Sequence, residues 1–400
     1  MRNKKRILIH DYGGFSFIFQ LSHTLASRGY EVIHVYCDSN NKTGFIGRDS
    51  LPSTVKLVKL GVTGGLKKDR FFLRWIQENQ YANKLISVIK LYKPDIVFSA
   101  NSPLDVQRRL ASSCKKHNAK FVYWLQDLIG IATHKVLTQK LGWLGKLIAA
   151  YYIGVEKRSL LFSDAIIAIS PNFSIYLRKL GIDKKKVFFI PNWAPLNEVR
   201  LIGKANTWSQ KHGYLDKFCF VYTGSLGFKH DLGVIVDLAE RIAKYSNAKI
   251  IIVGGGAGFE WVKNNIVNQH KNIEVHRYQS IEQYAEVLAT ADVLFGFISS
   301  DASQFAVPSK ILSYLCAQKP ILYLIPPDNY AAKVLVRSRA GLVIPPSRVD
   351  LFLNAAERMI KGETLALDLV KSYEFAKRHF EINKVFERFQ KMLTSLGEEN

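Results

Sequence analysis

A hydroxyl and an ammonium stand side by side in Val307-Pro308-Ser309-Lys310-Ile311-Leu312, where a proline loop gives way to an apolar run. That order marks a helix start, whose free N–H groups and positive dipole end attract phosphate oxygens. An ordinary loop, with Ser309 capping the helix and Lys310 in solvent, has the same composition. Two further segments bear on the choice. Gly224-Ser225-Leu226-Gly227, with Lys229 two residues on, and Gly254-Gly255-Gly256-Ala257-Gly258 both follow apolar runs and expose backbone N–H groups. Either turn taken singly also serves a tight strand-to-helix connection. The triple glycine does not complete the dinucleotide fingerprint, because Phe259 stands where the third glycine belongs, and a Walker-type loop is absent. Three donor loops of this kind suit a bound diphosphate sugar better than a nicotinamide cofactor or a hydrolysed triphosphate.

The first half of the chain offers fewer chemical groups. Gly13-Gly14 follows the first apolar run and lets a ligand approach the backbone, while Trp124-Leu125-Gln126-Asp127 places a carboxylate at the end of another. Asp127 could orient an acceptor hydroxyl or act on its proton, or serve as a turn or cap. His10 and His134 read as polar contacts or structural residues. Between His134 and Arg158, Leu137, Leu141, Leu144 and Ile148 recur at helical spacing beside Trp143, Tyr151 and Tyr152. Lys135, Lys140, Lys146, Lys157 and Arg158 flank them. This combination fits a helix lying on an anionic bilayer, or a helix packed in the core.

Positioning these groups needs two domains, since 400 residues exceed one typical domain. Strands are predicted at residues 6–10, 31–36, 95–99, 120–124, 165–169 and 187–190, with helices at 17–28, 80–91 and 104–116 between them. Strand, helix and strand with short connections make a parallel sheet. A stiff, polar stretch from Pro191 to Lys217 separates a second series, with strands at 218–223, 249–253, 273–276, 293–297, 321–325 and 341–344. Helices fill 349–396. In such sheets ligands bind at the carboxyl ends of strands, where all the loops above lie.

The formal net charge of +23 suits an anionic partner such as a membrane, nucleic acid or a phosphorylated substrate, or a merely solvated surface. Cys37, Cys114, Cys219 and Cys316 are far apart and read as reduced, partly buried thiols of a cytoplasmic protein. The apolar run after the basic N-terminus is too short for a signal peptide, and no run reaches the ~18 residues of a spanning helix.

These residues resemble the GT-B glycosyltransferases of family 4, in the branch that builds bacterial O-antigen, capsule and exopolysaccharide. The marks are Gly13-Gly14, Trp124-Leu125-Gln126-Asp127-Leu128, Pro191-Asn192-Trp193, Tyr222-Thr223-Gly224-Ser225-Leu226-Gly227, Val253-Gly254-Gly255-Gly256 and Val307-Pro308-Ser309-Lys310 with Tyr314-Leu315 and Lys319-Pro320. The resemblance implies an α/β fold of two Rossmann-like parallel-sheet domains facing across a cleft. Residues 1–196 would bind the acceptor, a C-terminal helix at 378–396 would pack back on them, and 197–377 would bind the donor. It implies a retaining transfer of a hexosyl group from a UDP-sugar to a polyprenyl-diphosphate-linked saccharide, without cofactor or metal, by an enzyme peripheral to the inner face of the cell membrane.

The resemblance gives catalytic roles to Asp127, Lys310 and Lys229, because charge developing on the leaving phosphate needs fixed positive donors. Donor contacts would be Gly224, Ser225, Leu226, Gly227, Gly254, Gly256, Arg277, Tyr278, Ser309, Lys310 and Ser313. Acceptor contacts would be Gly13, Gly14, Asp127 and His134. Many members carry two glutamates eight positions apart, the second on the ribose hydroxyls; here Phe305 and Ser313 occupy those places, and Asp301 is the nearest acidic residue. A basic nucleic-acid-binding protein lacks any recognition motif here, so nucleic acid is not the expected partner. The missing glutamates keep an epimerase or an inactive scaffold as alternatives.

Overall fold

A computed structural model describes residues 5–14, 16–40, 54–62, 65, 70–100, 102–227, 230–363 and 366–398. Two units emerge, one comprising Met1–Pro191 with Val385–Asn400 and the other Asn192–Lys384.

In the first unit the chain runs β1 (Arg6–Asp11), α1 (Ser16–Ser27), β2 (Glu31–Cys37), β3 (Val55–Leu60), α2 (Phe71–Tyr92), β4 (Ile96–Ala100) and α3 (Leu104–Lys116). It continues through β5 (Lys120–Leu125), α4 (Ile129–Phe162), β6 (Ala165–Ala168), α5 (Phe173–Lys179) and β7 (Val187–Phe189). The sheet order is β3-β2-β1-β4-β5-β6-β7, every pair parallel. Its central strands are apolar and buried throughout, as a sheet covered on both faces requires. β3 is absent from the sequence prediction. Its Val-Lys-Leu-Val-Lys-Leu pattern breaks strict alternation, and as an edge strand it is only half covered. α2 starts nine residues before the predicted helix, because Phe72, Leu73 and Trp75 are exposed and spoil the apolar periodicity there.

α4 is not the one continuous helix, on a bilayer or in the core, that the sequence suggests. Gly142 sits at φ +55°, and the chain doubles back there. A Cβ built on Gly145 would lie 2.0 Å from the Leu137 carbonyl oxygen, and one on Gly130 would lie 3.5 Å from Ile153 Cα. Eight residues of straight helix span about 12 Å. α4 is therefore a hairpin of two antiparallel arms, with 130 opposite 153 and 137 opposite 145. Leu141, Trp143, Leu144 and Leu147 are exposed at its tip. On the returning arm, the Tyr152 hydroxyl donates to Asp105 of α3 at 3.3 Å, and the Trp75 indole donates to the same carboxylate at 3.1 Å.

The second unit runs α6 (Thr207–His212), β8 (Phe218–Ser225), α7 (Gly233–Ile242), β9 (Ala248–Gly255), α8 (Ala257–Asn265), β10 (Ile273–Arg277) and α9 (Ile281–Thr290). It goes on with β11 (Val293–Phe297), α10 (Lys310–Cys316), β12 (Ile321–Leu324), α11 (Tyr330–Ser338), β13 (Gly341–Ile344), α12 (Val349–Ile360) and α13 (Leu369–Phe380). Its parallel sheet has the order β10-β9-β8-β11-β12-β13. Phe220, Tyr222, Ile250, Ile252, Phe295 and Leu322 of the strands pack with Ile235, Leu238 and Phe352 of the helices. The order reverses between β8 and β11, which makes the ends of those two strands the switch point of the sheet.

The predicted C-terminal helix is two helices, since Glu381 is extended at φ −67°, ψ 137° and ends α13. α14 (Ile382–Glu398) then joins the first unit, where Phe389 packs edge-on to Trp124 and Arg28 lies over the Phe386 ring. All four cysteines are buried, more deeply than the sequence suggests.

Candidate active site

The glycine turns of the second unit interlock because neither carries side chains at the contact. β8 and β9 stay in register to their ends, Gly224 opposite Gly254 and Ser225 opposite Gly255, so both strands run two residues into the predicted turns. A Cβ on Gly254 would lie 1.9 Å from the Gly224 carbonyl oxygen, and one on Gly256 would lie 2.3 Å from that of Leu226. The Leu226 amide donates to the Gly255 carbonyl at 2.9 Å, and the Gly258 amide returns a bond to Leu226 at 3.2 Å.

A chain of hydrogen bonds fixes this turn from beneath. Gly227 N–H donates to His230 Nδ1 at 3.0 Å, which leaves the proton on Nε2 to be donated to the Tyr222 hydroxyl at 3.1 Å. The Tyr222 hydroxyl in turn donates to the Ser225 carbonyl at 2.9 Å. His230 is buried and edge-on to Phe297. The sequence reading missed it; the signal was a histidine three residues after the last glycine of the turn.

Lys310 lies at the centre of the arrangement. Its Nζ is 3.4 Å from the centroid of the Tyr222 ring, a cation held on an aromatic face. Its Cε is 3.5 Å from where a Gly224 side chain would begin. Its Nζ is 3.7 Å from the same point, so the ammonium is buried between the Tyr222 ring and the Gly224 backbone. Ser309, first residue before α10, is exposed and makes no side-chain cap bond. The ordinary-loop alternative, with a capping serine and a solvated lysine, does not describe this loop. Asn329, buried before α11, donates to the Ala306 carbonyl at 3.0 Å and so anchors the approach to Pro308.

Around this centre, the Tyr278 hydroxyl and Ser225 Oγ are 2.7 Å apart, and the Tyr278 ring lies against Gly255. Ser313 hydrogen-bonds Tyr284, whose hydroxyl is 3.2 Å from Thr223 Oγ1. The Thr223 amide donates to the Tyr314 hydroxyl at 2.9 Å, which ties β8 to α10. Arg277 is exposed, stacked over Phe259 and paired through both guanidinium nitrogens with Glu260, so its fork faces a carboxylate of its own chain. Lys229 lies outside the described residues.

In the first unit, Gly13 and Gly14 donate their amides to Asp11 Oδ1 at 3.1 and 2.9 Å, so these N–H groups turn inward. His10 is fully buried between Ser99 and Tyr81, and loss of hydration holds its imidazole neutral, its pKa lowered to about 3. It is a core residue. His134 is exposed on the first arm of α4. Asp127 is half-buried in the loop after β5, at the same sheet edge as Gly13-Gly14, which follows β1 two strands away.

Residues 13–198 match the family model "Glycosyltransferase Family 4", and residues 204–374 match "Glycosyl transferases group 1". The chain belongs to the family-4 glycosyltransferases. Among solved structures this glycosyltransferase is similar to sucrose-phosphate synthase of Thermosynechococcus elongatus, at 13% identity and TM-score 0.76 over 99% of this chain and 100% of that one. It is similar to HepE of Anabaena in complex with UDP-glucose, at 12% identity and TM-score 0.69 over 98% and 99%. It is also similar to WaaG, a glycosyltransferase involved in lipopolysaccharide biosynthesis, at 13% identity and TM-score 0.65 over 96% and 98%. At these identities the likeness establishes the GT-B fold. No curated protein gives a significant sequence match to the glycosyltransferase.

Proposed function

We propose that this glycosyltransferase moves a sugar, with retention at the anomeric carbon, from a UDP-sugar to a polyprenyl-diphosphate-linked saccharide in the assembly of a surface polysaccharide. The observation that carries the reading is the Lys310 ammonium, held on the Tyr222 face beneath Gly224 at the switch point of the second sheet. A diphosphate set over Gly224 would meet the Ser309 hydroxyl and the amides of the Gly224 turn, with the buried Lys310 ammonium close behind the Gly224 backbone. These donors are fixed in advance, so they stabilise the charge of the leaving UDP without reorganising, and no metal is required. Asp127, at the carboxyl edge of the first sheet, is the group for the acceptor hydroxyl, with Gly13, Gly14 and His134 on the same acceptor side. The second unit is thus the donor domain and the first the acceptor domain. UDP and UDP-glucose complexes of HepE support the choice of nucleotide.

Thermal unfolding tests the donor directly. UDP and UDP-sugars are expected to raise the melting temperature while ADP and GDP do not, because a ligand specific to the native state adds about 2.7 kcal/mol of stability at a hundred times its Kd. Absence of any shift with uridine nucleotides contradicts the reading. Product analysis with acceptor present then separates transfer from epimerisation.

Support for a membrane-peripheral enzyme comes from the α4 tip. Leu141, Trp143, Leu144, Leu147 and Tyr151 are exposed beside Lys146, on a chain of net charge +23, and no helix among the described residues is long and apolar enough to cross a membrane. The protein is expected to sediment with vesicles of one part phosphatidylglycerol to about two parts phosphatidylcholine and not with phosphatidylcholine alone. The double change Trp143→Asp, Leu147→Asp should abolish that sedimentation without altering the melting temperature. Equal binding by this variant and the parent removes the tip from the interface.

A further inference from the structure

A buried carboxyl at the base of the α4 hairpin has no part in the chemistry above. Glu156, on the returning arm, is fully buried, and its Oε2 accepts a hydrogen bond from the Tyr176 hydroxyl of α5 at 2.9 Å. The carboxyl also faces the backbone amides of Ile129 and Gly130, the first turn of the outgoing arm. A side chain at Gly130 would not fit, since its Cβ would lie 2.6 Å from Oε2. The reversal at Gly142 thus carries the carboxylate of residue 156 back to the N-terminal end of its own helix, where unpaired amides and the helix dipole favour a negative charge. Leu128, the residue that enters α4, makes no side-chain cap bond, so Glu156 does from within the fold what a cap does from outside. Asp127 lies two and three residues upstream of the amides that Glu156 holds.

We propose that Glu156 is a positioning residue for the acceptor side: it latches the two arms of the hairpin and thereby fixes the Gln126-Asp127-Leu128 loop. The role rests on the reading of Asp127 as the acceptor's contact. Glu156 Oε1 is buried without a hydrogen bond, and the titratable groups that face the carboxyl are Tyr176 from α5 and Tyr123 from β5, both kept neutral by burial. With no cation beside it among the described residues, loss of hydration raises the Glu156 pKa to about 7, against the opposing pull of the amides and Tyr176. The folded protein therefore holds this proton up to about pH 7, whereas an unfolded chain releases it near the ordinary glutamate value. Between those values the native state binds more protons, so this group's contribution to stability falls as pH rises through the window and is constant above it.

The test uses the full chain and three variants. In Glu156→Ala, amide hydrogen exchange over residues 126–130 should accelerate by about tenfold, the expected effect of losing a buried hydrogen-bond acceptor, with no change at the glycine turns of the second unit. Glu156→Gln keeps an acceptor oxygen and should restore most of the protection. It should also remove the fall in melting temperature expected of the parent between about pH 5 and 7, which a merely space-filling residue would not do. With UDP-glucose and undecaprenyl-diphosphate-linked N-acetylglucosamine as probes, Glu156→Ala should raise the acceptor KM by about tenfold and leave the donor KM unchanged. Tyr176→Phe, the mildest change, should open the same amides less if the alanine variant does not fold. Unaltered exchange at 126–130, a Glu156→Gln variant that follows the parent's pH profile, or equal rises in both KM values each overturn the proposal. A parent enzyme that consumes no UDP-sugar refutes the proposed transfer instead, and leaves the exchange experiment to decide the latch.

Discussion

Lys310→Ala is expected to lower sugar transfer by about 10²–10³-fold, the effect of removing one fixed donor from a developing anion, while the melting temperature of the free protein stays within a few degrees. The ammonium sits 3.4 Å over the Tyr222 ring, and the alanine leaves that ring and the α10 backbone in place. The loss should fall on kcat, because charge on the leaving phosphate grows in the transition state. Lys310→Arg should recover little, since a planar guanidinium cannot occupy the point position of an ammonium between Tyr222 and Gly224. UDP release measured under saturating donor checks both. An alanine variant with the parent's kcat places Lys310 outside the site.

The second large effect concerns a glycine that touches no ligand in the proposed mechanism. Gly254→Ala would set a Cβ 1.9 Å from the Gly224 carbonyl oxygen and 2.9 Å from its carbon, backbone that cannot rotate away. Either β8 and β9 part at their ends or the Gly224 turn moves. The cost lies at or above the upper end of the about 1–3 kcal/mol of an overpacked core, or a fall of roughly 6–12 °C in melting temperature for a unit of this size. Donor binding should be lost with it, because the displaced turn carries the amides over Lys310. Gly227→Ala provides the control: among the described residues nothing lies within 4 Å of its Cβ and its φ is not positive, so it should be close to neutral for stability. Calorimetry on the two variants decides the matter, and equal melting temperatures would mean that the glycine contact is not tight.

Much of the proposed donor side was legible along the chain. Glycine turns after apolar runs and a Pro-Ser-Lys helix start are local signals, and each marks a loop wherever the strand before it goes. The partners that give those loops their shape were not legible. His230 and Tyr222 act on the Gly224 turn through side chains whose meeting depends on the Gly227 backbone, and Tyr278, a predicted contact, reaches Ser225 only because β10 lies two strands from β8. Arg277 shows the converse. Its place after a strand suggests an anion contact, but α8 brings Glu260 alongside, and the pair forms on a surface where neither charge loses much hydration.

The α4 segment was misread for a physical reason. Its leucines and lysines carry the period of an amphipathic helix, and Gly142, Gly145 and Gly154 register only as weak helix formers. Periodicity cannot tell a straight helix from two arms of the same helix folded together. The reversal depends on Gly142 adopting φ +55° and on Gly145 meeting the Leu137 backbone, which is a matter of close approach between distant turns.

By itself the sequence determined two parallel-sheet domains, the loops at the ends of their strands and the family of the enzyme. These follow from runs of apolar residues and from glycine, proline and charge at fixed local spacing. Only the tertiary structure decided that Lys310 is buried between Tyr222 and Gly224, that His10 is neutral core, and that Glu156 returns to the start of its own helix. Each of those depends on which backbone lies against which, and on the hydration lost there, quantities set by packing between residues far apart in the chain.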